Sequence, residues 1–194
     1  LGGQVVETGL SEWLITIHMM LAFLIVNILL FAAYKSNDYR IRLNLDESLR
    51  KQLIQLGVVL LLITLVQVVI GTQVREMVDM VKEQAVPPHR STWLDDAGLI
   101  FQVHRVFSWF VVLAAGVLYM MAKKEISDSF TLKVLNGIML LIVIQAVAGI
   151  GLKHLGMPAV LQVTHLSSVA LLVCAEFLFL LILSFSAKKQ PTSA

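Results

Sequence analysis

The sequence predicts an all-α protein of the membrane, and three observations carry that prediction. Hydrophobic residues make up 58% of the chain and charged residues 14%, and the mean hydropathy of +0.84 lies well outside the range of soluble domains. Five largely uncharged windows are each long enough to cross about 30 Å of hydrocarbon as helix, and an isolated strand would leave its backbone groups unpaired in lipid. Finally, one gapless offset pairs Gly2 with Gly149, Gly9 with Gly156, Leu14 with Leu161 and His18 with His165, so a unit of loop, helix and histidine is present twice. Three further membrane segments stand between the two copies and none before the first, so the repeat predicts an upstream part of the protein ahead of Leu1.

The predicted spans are Trp13 to Tyr34, Gln52 to Val74, about Gly98 to Met121, Val134 to Leu152 and Leu155 to Ala187. Their connections differ in charge. Lys35, Arg40, Arg42, Arg50 and Lys51 follow the first span, Lys123, Lys124 and Lys133 follow the third, and Lys188 and Lys189 end the chain, whereas Arg75, Lys82, Arg90 and Lys153 are the basic residues of the other side. The positive-inside rule makes the richer side cytoplasmic. His18, His104 and His165 then all lie near the outer ends of helices that run inward. Cys174, the single cysteine, allows no disulfide within this chain and no cysteine-based metal centre, and reads as core filler.

In the outer loop, Val74, Met77, Val78 and Val81 recur at helical spacing with Arg75, Glu76, Asp79, Lys82 and Glu83 opposite, which predicts a short helix lying in the membrane interface and stopped by Pro87 and Pro88. Trp93 and Leu94 fall at headgroup depth, with Asp95 or Asp96 as the expected cap of the third span. Gln67-x-x-x-Gly71 near the outer end of the second span recurs as Gln145-x-x-x-Gly149 near that of the fourth. The glycines admit something flat or simply another helix. An amide in hydrocarbon, however, needs a partner on a neighbouring helix or on a bound group.

Three histidines at one depth on three parallel helices form the candidate site. A single neutral imidazole on an apolar helix is as often hydrogen-bonded core as ligand, but the matched depth favours ligands. Two imidazoles on facing helices suit the axial positions of a haem iron, and His104 with His165 is the natural pair. Zinc would want three or four clustered ligands, and no carboxylate or thiol accompanies these residues at their depth. His89 and His154 fall in outer loops and read as solvated. Glu176 stands eleven residues beyond His165, about 20° round the helix and roughly 16 Å deeper. It is expected to be a protonated acid bonded to a neighbouring helix, ahead of a proton relay.

The ordered set of Leu1-Gly2-Gly3-x-Val5-Val6-x-Thr8-Gly9-Leu10-Ser11 with His18, Gln67-Val-Val-Ile-Gly71-x-x-Val74-Arg75, His104-Arg105, Gln145-x-x-x-Gly149 and Thr164-His165 resembles the carboxyl-terminal part of the haem A synthase family. That family has eight helices in two four-helix halves. The resemblance implies that this chain supplies the last helix of the first bundle (residues 1–34), a cytoplasmic linker (35–53), a haem-binding second bundle (54–187) and a cytoplasmic tail (188–194). It further implies that His104 and His165 hold a haem b, and that His18 serves the first half, where haem O is oxidised at a ring methyl to the formyl group of haem A. The partner histidine and the family's catalytic glutamate are expected upstream; the corresponding place in the second half holds Phe101.

On this reading Gln67 and Gln145 belong to the cofactor site, and Arg105 either pairs with a haem propionate or snorkels at a helix end. A bacterial plasma membrane, with membrane lipid as solvent and haem O synthase or the terminal oxidase as protein partners, follows from the same resemblance, and nucleic acid has no part in it. The competing class is a non-catalytic di-histidine haem b subunit, or a structural subunit, of a membrane respiratory complex.

Overall fold

The computed structural model describes residues 12–36, 41–84 and 89–188. The residue 1–11 loop of the earlier repeat copy, Arg40, the proline stop at Pro87 and Pro88, and the tail from Lys189 onward lie outside the described residues. Five helices among those described are long and apolar enough to span a membrane: α1 (Glu12–Ser36), α2 (Glu47–Lys82), α4 (Leu99–Glu125), α5 (Ser129–His154) and α6 (Ala159–Phe185). A one-turn α3 (Trp93–Asp96) precedes α4, and the two-residue strands β1 (Arg42–Leu43) and β2 (Ala187–Lys188) pair in parallel. The chain is therefore an all-α multi-pass membrane protein, and it leaves large apolar side chains such as Leu113, Val147 and Leu171 exposed.

The helices α2, α4, α5 and α6 form the bundle, and α1 lies along α2 and α6. Leu53 and Leu60 of α2, Leu118 of α4, Leu135 and Ile138 of α5, and Phe179, Ile182 and Leu183 of α6 fill its centre and one end. On α1 the stripe Thr16, Met19, Met20 and Phe23 meets Val68, Val169 and Val173. Thr72 gives its one hydroxyl proton to the Val69 carbonyl at 2.7 Å, so Thr16 must be the donor in the 2.7 Å bond that joins α1 to α2. Phe31 and Tyr34, late in α1, touch Phe185, which ends α6. These contacts and the parallel strands make α1 and α6 run in the same direction, as a parallel repeat requires.

Local chemistry explains most helix ends. Asp46 accepts from Ser48 N–H ahead of α2, and Asp128 accepts from both the N–H and the hydroxyl of Thr131 ahead of α5. The close of α5 is a Schellman turn: Gly156 takes φ 66°, which a side chain would resist, and Met157 N–H reaches back to Leu152 carbonyl at 3.1 Å. At the opposite end of the bundle, Arg50 donates to the carbonyls of Leu183, Ser184 and Ser186 and satisfies the last turn of α6. Between the first two spans, Ile41 and Leu43 are buried in the main core, so this connection is packed into the bundle.

Two expectations are corrected. Residues 74–82 do not form a separate helix in the membrane interface. They continue α2 without a break, giving 36 residues and about 54 Å of helix. No glycine or proline interrupts α2 there, and the stripe Val74 and Val78 is buried against Leu94 and Ala97 rather than against lipid. Nor does Asp95 or Asp96 cap the third span. Gly98, at φ 69°, stands at that position with no side-chain cap, because α3 intervenes; Asp96 instead accepts from the Thr92 hydroxyl at 2.7 Å and Asp95 pairs with Lys153.

Arg50 ties the start of α2 to the end of α6 with charge-assisted bonds, and removing it strands those carbonyls. The Arg50→Ala protein is expected to lose about 2 kcal/mol of stability, with Arg50→Lys restoring only part because an ammonium cannot fork across three carbonyls. Thermal unfolding in detergent measures this, and equal midpoints for the three proteins would show that the clasp contributes nothing.

Candidate functional site

The site is built by α2 and α5, each presenting a glutamine and a glycine one turn apart to a histidine on the helix it packs against. On α2, Gln67 Nε2 donates to the backbone carbonyl of His104 at 2.9 Å, and Gly71 lies beneath the His104 ring. On α5, Gln145 Nε2 donates to the backbone carbonyl of His165 at 2.7 Å, and Gly149 lies beneath the His165 ring. Each histidine carbonyl sits inside a helix, so the amide bond is added to the helical one and sets the register between neighbouring helices. The α2–α4 and α5–α6 pairs thus share one design.

The glycines are seats for imidazoles. A Cβ on Gly71 would lie 3.1 Å from His104 Cε1, tighter than ordinary contact, and one on Gly149 would lie 3.7 Å from His165 Cε1. Sequence reasoning took these residues as room for a flat group or a helix; the neighbour each admits is a histidine ring. The signal was present, since a spacing of four puts glutamine and glycine on one helix face, but which helix that face meets was not readable.

The two designs bring His104 and His165 together. Their ring centroids stand 6.4 Å apart with planes inclined at 65°. Both are half-buried, and His165 Nδ1 is enclosed without a hydrogen-bond partner. Among the described residues no group of three or more histidine, cysteine, aspartate or glutamate side chains is placed to hold a metal ion. His18 lies outside this pair, on α1, and is exposed.

Around the pair, the other expected residues fall in several places. Arg105 is exposed and its guanidinium sits 5.9 Å from the Phe101 ring centre, while Lys153 approaches the same ring at 5.8 Å. Lys153 also pairs with Asp95, and Arg90 donates to Met157 carbonyl at 2.7 Å, so α3 and the α5–α6 turn are held together. His89 is exposed in its loop as expected; His154 is exposed too, but it is the last residue of α5 and not a loop residue, because the helix runs on to the turn at Gly156.

Deeper in the bundle Glu176 is buried and accepts a 3.0 Å bond from the Thr64 hydroxyl on α2, while its second oxygen has no partner. The expected bond to a neighbouring helix is therefore present. Thr64 was not singled out from the sequence, where it is one threonine among apolar residues, and neither was Ser168, which accepts the second N–H of Gln145 at 3.0 Å. Thr64→Val should cost about 1–3 kcal/mol by leaving the acid without its donor, and much less in a Glu176→Leu background. A double-mutant cycle by thermal unfolding reads the coupling, and additive effects would mean that the bond is not formed in the folded protein.

The geometry now stands beside the comparisons with known proteins. A family model described as cytochrome oxidase assembly protein, COX15-CtaA, matches residues 1–177. No curated protein and no solved structure matches the chain. The match covers α1 to α5 and α6 as far as Phe177, and the chain belongs to the COX15-CtaA family of cytochrome oxidase assembly proteins, the haem A synthase family.

Proposed function

We propose that this chain carries the electron-transfer half of a haem A synthase, an enzyme that oxidises the ring methyl of haem O to the formyl group of haem A. The observation that carries the reading is the 6.4 Å between the His104 and His165 ring centres. Two imidazole nitrogens each about 2 Å from a shared metal would put their ring centres up to roughly 6.3 Å apart. Two imidazoles alone leave a tetrahedral site half empty, whereas His104 and His165 would suffice to hold an iron whose other donors came from a porphyrin. The buried, unpartnered His165 Nδ1 and the glycine seats also suit ligands that face a bound group.

In this reading His104 and His165 hold a haem b, and Gln67 and Gln145 fix the helix register that aims them. The haem supplies one-electron chemistry; the protein supplies ligation, orientation and a largely apolar enclosure. Arg105, exposed one residue beyond a ligand, offers a guanidinium to a propionate. Phe101 carries no proton-transferring group, so the second half has no base at the place where the family's glutamate stands in the first. The richer basic end is cytoplasmic, which puts the histidines near the outer face of a bacterial plasma membrane. His18, exposed on α1, belongs to the oxidation site formed with helices of the first half, and haem O synthase or the terminal oxidase is the expected partner.

His104→Ala and His165→Ala are each expected to abolish a low-spin b-type spectrum in the purified protein, while His18→Ala keeps it. In the complete protein His18→Ala should also stop haem A formation, measured by haem extraction and chromatography. An unchanged spectrum in both ligand variants would overturn the haem assignment, and a His18→Ala protein with normal conversion would make the chain a non-catalytic di-histidine electron-transfer subunit.

A further inference from the structure

We infer that the end of the bundle nearest the histidines carries a binding site for a quinol, a neutral diol ring on an apolar tail, between the extension of α2 and the start of α4. The site stands independently of the haem assignment. It exists because α2 continues past Val74 as helix and so brings a further face against α4.

Gln73, Glu76, Met77 and Met80 recur at i, i+3, i+4 and i+7 on that extension and share one face. With Leu99 and Ile100 of α4 they line a cavity of about 380 Å³, a volume typical of small-molecule sites. The neighbouring Val74 and Val78 are spent on packing against α3, and Arg75 and Lys82 both turn to Asp79. The amide is the group that asks for a ligand. Gln73 Nε2 is buried and has no hydrogen-bond partner, and a buried donor left unmade is costly. An acceptor oxygen on a bound molecule satisfies it.

The polar pair selects the head of that molecule. Gln73 has a proton to share and Glu76, one turn along, offers acceptor oxygens, so the complementary head both accepts and donates. A quinol does this: one ring oxygen accepts from Gln73 Nε2, a ring O–H donates to Glu76, and the thioethers of Met77 and Met80 pack on the ring. A phosphate or fatty-acid head would instead set a negative charge beside Glu76.

The tail has a path of its own. Leu99 also borders a largely apolar groove of about 310 Å³ that continues past Val103, Val106, Phe107 and Phe110, roughly 16 Å along α4. Cavity and groove meet at Leu99, which makes an amphipathic track from the helix end towards the middle of the span. Ile100 stands one turn before His104, so the head site adjoins the histidine layer.

The test titrates the purified complete protein in detergent with a decyl-tailed benzoquinone, oxidised and reduced in separate arms, and reads binding by calorimetry. Gln73→Leu is expected to weaken both forms roughly 5- to 10-fold while the thermal midpoint of the free protein stays equal or rises, because the lost donor had no protein partner. Glu76→Leu should weaken the quinol by a similar factor of roughly 5 to 10 and the quinone little, since only the quinol has an O–H to give. Val106→Trp, which fills the groove, should weaken the tailed quinol and spare the tailless ring. Undiminished quinol binding in Gln73→Leu and Glu76→Leu would overturn the inference. So would a lower thermal midpoint in Gln73→Leu, which would make the amide a structural group, or displacement of the quinol by phosphatidylglycerol, which would make the cavity a lipid site. Loss of the b-type spectrum in the histidine variants bears on the haem reading and leaves these binding constants as the separate measure of this site.

Discussion

An amide in hydrocarbon must be satisfied by protein, and that constraint organises this molecule. The amide N–H groups of Gln67 and Gln145 meet it by donating to backbone carbonyls on the helix opposite, at His104 and at His165, whereas Gln67 Oε1 is buried without a partner. Sliding either helix by one residue would leave a buried amide unpaired, at a cost of several kcal/mol in lipid. Register between helices is therefore specified at the level of the histidines, where apolar packing alone would be permissive. The glycine one turn along from each glutamine then lets the imidazole lie against the backbone, so one short pattern both aligns a helix pair and seats its histidine.

Apart from the Thr16–Thr72 bond beside Gly71, the main polar contacts between helices lie at the two ends of the bundle or well below the pair. Arg50 and the strand pair clasp α2 to the end of α6 at one end, and Lys153 with Asp95 and Arg90 with Met157 clasp α3 to the α5–α6 turn at the other. Between them the helices meet through aliphatic side chains and through the Thr64–Glu176 and Thr16–Thr72 bonds. A bundle held at both ends and registered at one inner layer keeps the histidines at a defined separation while its outer faces stay apolar for lipid. The 6.4 Å between ring centres is the result of that arrangement.

The spans, the histidine pair and the need of Glu176 for a bond to a neighbouring helix were legible in the sequence because each follows from length, spacing or the cost of burying a polar group; that the partner is Thr64 was not. The extension of α2 through Lys82 was not. An amphipathic stripe reads alike whether it meets lipid headgroups or Leu94 and Ala97 of the same chain, and composition does not say which. The capping role expected of Asp95 or Asp96 failed for a similar reason: both residues are suitable caps, but the turn at Gly98 and the reach of Lys153 assign them elsewhere. Gly71 and Gly149 were visible as a repeated spacing, yet their function as imidazole seats depends on contacts between residues far apart in the chain, which spacing does not report.

In the proposed function His104 and His165 are the two protein donors to a single iron. A reductive titration of the purified protein, comparing wild type with His104→Met, His165→Met and His18→Met, tests it directly, because a histidine–methionine pair raises a haem potential above that of two histidines. The midpoint of the b-type haem should rise in both His104→Met and His165→Met and stay at the wild-type value in His18→Met. An unmoved midpoint in either of the first two would contradict the pairing, and a shift confined to His18→Met would place the haem on the other helix.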